Sequence, residues 1–275
     1  MRRQAANTNE SMTVIPSGSA LGAEIVGLDL SRPLPPATVV SVRSALLAHE
    51  VLCFRGQQVS EREQLDFTRY FGVPEVHVRA QTSEHLPGIF VVSNVMENGV
   101  AIGSLGHGNV GFHSDLAYLR KPGTLCTLHA LEIPGEGGAT HWASGYAAFA
   151  ALDPALRARL VGLRAIHRHV SEELNPPEAV DHPVVCTHPE TGRQTLFLTP
   201  LFTREIVGLS DDGALLEELL AHVVRPEFRW THEWEVGDLV MWDNRSTMHR
   251  RDAFPSGQRR ILNRTQVFND TTPCA

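Results

Sequence analysis

Residues Leu239 to Phe268 read LVMWDNRSTMHRRDAFPSGQRRILNRTQVF and hold two β-like runs around a basic turn. The first run, Leu239 to Trp242, leads into a turn-prone WDNR. His249 follows, then a polar Pro-Ser-Gly loop, then a second run from Ile261 to Phe268. Side chains alternate along a strand, so Arg260, Leu262 and Arg264 project to one face. Two guanidiniums on one face of a half-buried strand call for anions, because an unpaired buried charge is strongly disfavoured. With His249 just ahead of them, the stretch suggests a metal ligand beside an anion-binding wall. The same residues also suit a surface hairpin whose basic side chains sit in water.

The rest of the chain frames that choice. Its 275 residues are enough to bury a substantial core. A net charge of −7 argues against a nucleic-acid partner, whose binding domain is usually basic. No apolar run reaches the length of a membrane span, and MRRQAANTNESM lacks the apolar core of a secretory signal. The four cysteines (Cys53, Cys126, Cys186, Cys274) form no C-x-x-C pair, which fits a reducing compartment, so the expected location is cytoplasmic. Residues 1–12 are polar and expected to be disordered. Strands are expected at Ala23–Leu30, Val51–Phe54 and Phe90–Val95, and helices at Ala37–His49 and after the capping box Ser60-x-x-Glu63. From Phe112 onward the pattern is mostly β: Phe112–Leu119, Thr124–Leu131, Thr140–Ala143, and a hairpin of His182–His188 with Gln194–Leu198. Helices interrupt it at Gly145–Ala151, after the Asp153-Pro154 start, and at Asp211–Val224. No repeat or linker divides the chain, so 13–270 is expected to be one α+β, mainly β, domain.

A second chemical centre is Phe112-His113-Ser114-Asp115. On a strand, residues two apart face the same way, so His113 and Asp115 present an imidazole and a carboxylate together. These are two of the three ligands of a 2-His-1-carboxylate site, which suits non-haem Fe(II). Among 14 histidines a lone H-x-D says little, but beside His249 and the arginine pair it says much more. Gly106-His-Gly-Asn-Val-Gly111 matches the dinucleotide fingerprint, yet no helical face follows it, so a loop beside the metal, acting as a lid over the substrate, is the better reading. Most remaining histidines, His167 and His169 included, read as surface or hydrogen-bonded structural residues.

The sequence resembles the taurine dioxygenase and 2,4-dichlorophenoxyacetate dioxygenase family of Fe(II)/2-oxoglutarate-dependent oxygenases from about Thr13 to Asp270. The resemblance rests on Leu21-Gly22-Ala23-Glu24, Tyr70-Phe71-Gly72, His113-Ser114-Asp115, Gly137-Gly138-Ala139-Thr140, Thr187-His188-Pro189 and the tail from Trp242 to Arg264. It implies a double-stranded β-helix (jelly-roll) core flanked by helices, with Fe(II) held by His113, Asp115 and His249. It implies Thr140 and Arg260 for the distal carboxylate of 2-oxoglutarate, with O2 as the other co-substrate. Arg264, His77 and Asn109 would meet an anionic head group, and Tyr118 and Phe202 would be aromatic walls. The implied partner is a small anionic organic molecule: a sulfonate, sulfate ester, aryloxyalkanoate or N-substituted amino acid. The implied assembly is a homo-dimer or homo-tetramer. Phe112 stands where the family usually has Trp, GGAT replaces the commoner GGDT, and the segment from Gly72 to His113 is longer than in the taurine enzyme. Two rival readings use the same ligands: a zinc-dependent hydrolase, and a jelly-roll acid sensor without turnover.

Overall fold

A computed structural model describes residues 11–76, 85–209 and 213–268. The expectation of a disordered 1–12 falls almost wholly outside these residues, as does the placement of His77. Two sheets dominate. The larger has eight strands in the spatial order Thr13–Pro16, Ala23–Val26, Val51–Phe54, Leu239–Asp243, Gly123–Glu132, Ile261–Phe268, Phe90–Ser93 and Ser104–Leu105. The smaller has four: Arg229–His232, Thr140–Ser144, Thr247–Arg251 and Val110–His113. Both β-like runs of the opening stretch are therefore central strands of the large sheet, and the hairpin-in-water reading falls.

Alternation along the strands assigns each side chain to a layer. Leu239 and Met241 point outward beneath the helices, joining Phe54, Leu46, Phe67 and Phe71 in one apolar cluster. Val240 and Trp242 point inward and meet Trp142 of the smaller sheet, together with Cys53, Leu128 and Leu262. The Trp142 and Trp242 rings lie 5.6 Å apart, edge to face. Full burial of side chains this large contributes on the order of 2–3 kcal/mol each before entropy is counted. Leu262 and Arg264 share the inward parity, as the sequence pattern requires, and Arg260 directly precedes the strand.

The helix Glu61–Arg69 starts where the capping box places it. Ser60 Oγ accepts from the Glu63 N–H at 3.3 Å, and the Glu63 carboxylate accepts from the Ser60 N–H at 2.7 Å. Its buried Gln64 and Thr68 meet Thr127 and Thr265 in a hydrogen-bonded polar layer on the outer face of the sheet. Asp153 caps Pro154–Leu160 by accepting from Ala155 N–H. Of the expected hairpin, Val185–Thr187 pairs with Gln194–Leu196, while His182 and Pro183 belong to the strand Val180–Pro183, which pairs with Arg164–His167 in another sheet.

Three expectations are corrected. The strand expected over Phe112–Leu119 stops at His113, and Leu116 turns the chain with φ +58°. The strand from Ala23 ends at Val26, because Gly27 adopts φ +91°. Cys53 and Cys126 are buried free thiols, but Cys186 is disulfide-bonded, so the all-thiol expectation fails there. Among the described residues, no helix is long and apolar enough to cross a membrane.

Candidate metal centre and acid-binding pocket

The smaller sheet carries both histidines. His249 lies in the Thr247–Arg251 strand opposite Trp142 on one neighbour and His113 on the other. The rings of His113 and His249 are 4.3 Å apart between centroids. Asp115 joins them from the turn beyond His113: His113 Nε2 is 3.8 Å from Oδ1, and His249 Nε2 is 3.9 Å from Oδ2. One donor atom from each residue falls within 4.8 Å of the others, a spread a single divalent cation can bridge.

That turn is held at several points. Asn244, in the WDNR segment, accepts from the Asp115 N–H at 2.7 Å and donates to the carbonyls of Asp115 and Gly123 at 3.0 and 2.6 Å. Asn244 is set in turn by its neighbour Asp243, which is buried against His188 at 3.0 Å and Arg245 at 2.6 Å. This gives the Thr-His-Pro motif a structural role. His182 donates to the carbonyls of Ala117 and Leu119, both at 3.0 Å, and fixes the far end of the turn.

Electrostatics leaves the three groups in the forms a metal needs. Burial lowers the His113 pKa from its ordinary value and pushes that of His249 down to about 3, with repulsion from His113 adding to the latter. Both imidazoles are therefore neutral near pH 7. His113 Nδ1–H donates to the Gly111 carbonyl at 2.8 Å, which fixes the tautomer and leaves Nε2 with its lone pair. Burial alone would raise the Asp115 carboxyl, but the Arg264 guanidinium, then His249 and His113, hold it well below the usual carboxylate range. Arg264 Nη1 donates to Asp115 Oδ1 at 2.9 Å, and the Cys126 thiol donates to Oδ2 at 3.1 Å.

Two adjoining pockets share this centre. The first runs from His113 and His249 to Thr140, Arg260 and Arg251. Thr140 follows the Gly137-Gly138 turn; both glycines have φ +72°, and a Cβ on Gly137 would lie 2.6 Å from the Ala253 carbonyl. Trp234 Nε1–H donates to Thr140 Oγ1 at 2.9 Å, so the hydroxyl proton is left to donate elsewhere. Arg260 is 2% exposed, lies 5.9 Å from the Trp234 ring and 6.0 Å from the Phe254 ring, and has no partner for Nε. No carboxylate among the described residues pairs with it. Burial, with repulsion from Arg251, pushes its pKa down to about 9. A buried, unneutralised guanidinium beside a hydroxyl donor fits an incoming carboxylate.

The second pocket is mainly apolar. Phe90, Leu116, Tyr118, Leu201 and Phe202 line it beside His113, Asp115 and Arg264. The Tyr118 and Phe202 rings lie 5.2 Å apart, edge to face. Arg264 lines both pockets, but its head is engaged by Asp115 and lies 4.8 Å from the Phe90 ring. The acid beside Arg264 is thus the proposed metal ligand itself. Asn109 has a different contact in this structure. Its Oδ1 accepts from the Ala253 N–H at 2.7 Å, tying one loop to another, and it lines neither pocket.

A family profile described as taurine catabolism dioxygenase TauD, TfdA family matches residues 13–266. The chain belongs to this family. It is 30% identical to a pentalenolactone F synthase from Streptomyces arenae, over 94% of this chain and 96% of that one. It is also 30% identical to an alpha-ketoglutarate-dependent 2,4-dichlorophenoxyacetate dioxygenase from Cupriavidus pinatubonensis, over 94% and 99%. A crystal structure of a taurine dioxygenase from Burkholderia xenovorans superposes with a TM-score of 0.83 at 34% identity, covering 95% of this chain and 92% of its own. Membership makes this chain a 2-oxoglutarate-dependent dioxygenase whose reagents are Fe(II), 2-oxoglutarate and O2. The residues present fit those reagents: a convergent His-Asp-His donor set and a buried arginine without a counter-ion among the described residues. Neither the zinc-hydrolase nor the sensor reading gains support from these relatives.

Sequence reasoning missed Asn244, Arg251 and His169. His169 lines the apolar pocket 4.9 Å from the Tyr118 ring, and its Nδ1 accepts from Ser171 N–H at 2.9 Å. A second Cys-His-Asp cluster, Cys53, His232 and Asp238, is also buried. There Arg55 already neutralises Asp238 at 2.6 Å and His232 hydrogen-bonds it at 2.9 Å, so the carboxylate is paired within the protein, while Asp238 Oδ1 and His232 Nδ1 have no hydrogen-bond partner among the described residues.

Proposed function

We propose that this enzyme hydroxylates a small anionic organic substrate that has an apolar body, converting 2-oxoglutarate to succinate and CO2. His113, Asp115 and His249 hold Fe(II), and Thr140 with Arg260 holds the distal carboxylate of 2-oxoglutarate. The observation that carries the reading is the pairing of two pockets on one donor set, one ending in an arginine without a counter-ion among the described residues and the other walled by aromatic and aliphatic side chains. Bound Fe(II) supplies the O2 activation that an unactivated C–H bond requires. The chain supplies position. The Arg260 guanidinium and the Thr140 O–H orient the co-substrate, and the Asn244 clamp fixes the Asp115 backbone. Tyr118 and Phe202 keep water from the reacting carbon.

The substrate classes that fit are sulfonates, sulfate esters, aryloxyalkanoates and N-substituted amino acids. The apolar pocket favours those with an alkyl or aryl body. Arg264, at the junction of the pockets, meets the anionic group while retaining Asp115. If the hydroxylated carbon bears a heteroatom, the product collapses and releases it. The two facing sheets support a double-stranded β-helix, with 13–270 as one domain. Succinate release from protein supplied with Fe(II), ascorbate, 2-oxoglutarate and each of the four acid classes tests the reading. The reading fails if succinate release never depends on 2-oxoglutarate and Fe(II) together.

A further inference from the structure

Arg251 ends the Thr247–Arg251 strand, two residues beyond His249, in register with Thr140 on one side and Val110 on the other. Its guanidinium is buried in the wall that also holds Arg260, and no carboxylate among the described residues pairs with it. Instead it grips backbone. Nη1 donates to the Gly106 carbonyl at 3.1 Å, and Nη2 donates to the carbonyls of Leu105, at 3.1 Å, and Gly108. The glycine-rich run is thereby fastened to the edge of the acid pocket. Two further bonds reinforce it: Phe254 N–H to the His107 carbonyl at 3.2 Å, and Ala253 N–H to Asn109 Oδ1.

Leu105 shows what the grip holds. Its φ is +81°, in the left-handed region a leucine rarely adopts, and its side chain lines both pockets. A guanidinium has five N–H groups, and three donations to neutral carbonyls leave two of them, Nε–H included, along with the full charge. The Phe254 ring lies 5.3 Å from the Arg251 guanidinium and 6.0 Å from that of Arg260. Both arginines also line the pocket that Thr140 lines, so an acid entering there meets two buried guanidiniums.

We propose that Arg251 is a second binding residue for the acid that enters beside Arg260 and Thr140, and that its hold on Leu105, Gly106 and Gly108 transmits the arrival of that acid to the wall of the substrate pocket. The inference rests on the assignment of that pocket to 2-oxoglutarate. It gives the glycine-rich run a definite function: a wall whose rigidity depends on co-substrate.

The test uses full-length protein loaded with Mn(II), with 2-oxoglutarate affinity read by calorimetry and backbone hydrogen exchange read over residues 103–111. In the native protein, 2-oxoglutarate is expected to slow exchange across that run. Arg251→Gln is expected to weaken 2-oxoglutarate binding by about tenfold or more, the effect of losing a charged hydrogen bond. It should also abolish the protection while the Mn(II) affinity stays as in the native protein. Arg251→Lys keeps the charge but cannot reach three carbonyls, so it should recover affinity without the protection. An unchanged affinity in both variants, or protection that survives in Arg251→Gln, overturns the inference. A native protein that binds Mn(II) but no 2-oxoglutarate overturns the functional reading instead.

Discussion

Replacing Arg264 with Gln removes the positive partner of Asp115 while keeping most of the side-chain volume. Both groups are buried, at 7% and 5% side-chain exposure, and the Nη1–Oδ1 distance is 2.9 Å. With an effective dielectric constant of ~20, the gross attraction at that distance is about 6 kcal/mol. Part is offset by desolvation of the two ions, so removing one partner of such a pair leaves a net loss of about 3–5 kcal/mol. The loss should appear in urea unfolding of metal-free protein in chelator. With saturating Mn(II) it should narrow, because the cation gives the carboxylate a new partner and stabilises the folded state by mass action. The pH dependence provides a second readout. The native Asp115 pKa is depressed, so its contribution is present above the unfolded value near 3.9 and is lost as pH falls through the folded value. In Arg264→Gln the largest lowering influence is gone, and the metal-free variant should lose that rise in stability from acid toward neutral pH. A loss under about 1 kcal/mol in chelator, or an equal loss with and without Mn(II), would refute the pairing as the main role of Arg264.

Other perturbations follow the same logic. Asp115→Ala should abolish Fe(II)-dependent succinate formation and Mn(II) binding by EPR titration; retained turnover would remove Asp115 from the donor set. Arg260→Ala should weaken 2-oxoglutarate binding by at least about a hundredfold, the loss of one partner from a buried pair, with a smaller change in Mn(II) affinity by calorimetry. Trp234→Phe keeps the ring but removes the donor to Thr140, and should raise the 2-oxoglutarate Kd several-fold, about 1 kcal/mol. Burial raises Glu50, hydrogen-bonded to Ser144, to about 7. Its unfolded form loses the proton first, so native stability should fall by up to about 3 kcal/mol as pH rises from 4.5 to 7, and Glu50→Gln should flatten that slope in denaturant titrations at several pH values.

The sequence carries the strands well because alternation is local. Leu239 to Trp242 and Ile261 to Phe268 show in their own letters which side chains face the core. The same parity puts Arg264 inside. Asp115 was read as sharing a strand face with His113, and it does reach the centre, but by another route. The strand ends at His113, and the carboxylate is delivered by a turn clamped by Asn244, 129 residues away. No local pattern encodes such a clamp. The Arg264–Asp115 pair was invisible for the same reason, with 149 residues between its members. The bond from Ala253 N–H to Asn109 was equally illegible, because a positional match says nothing about which loop a side chain meets.

The position of the Ile261–Phe268 strand has a consequence for the nascent chain. It lies between Gly123–Glu132 and Phe90–Ser93, both synthesised long before it. Until it emerges, each of those strands has an open hydrogen-bonding edge, a template for pairing with other chains. The slot is filled by the strand that brings Arg264 to Asp115, so closing the sheet and neutralising the buried carboxylate happen in one event. Chains cut short before residue 261 should be taken up by chaperones or aggregate through those two edges, whereas substitutions that only weaken the late strand should slow folding more than they alter the finished site.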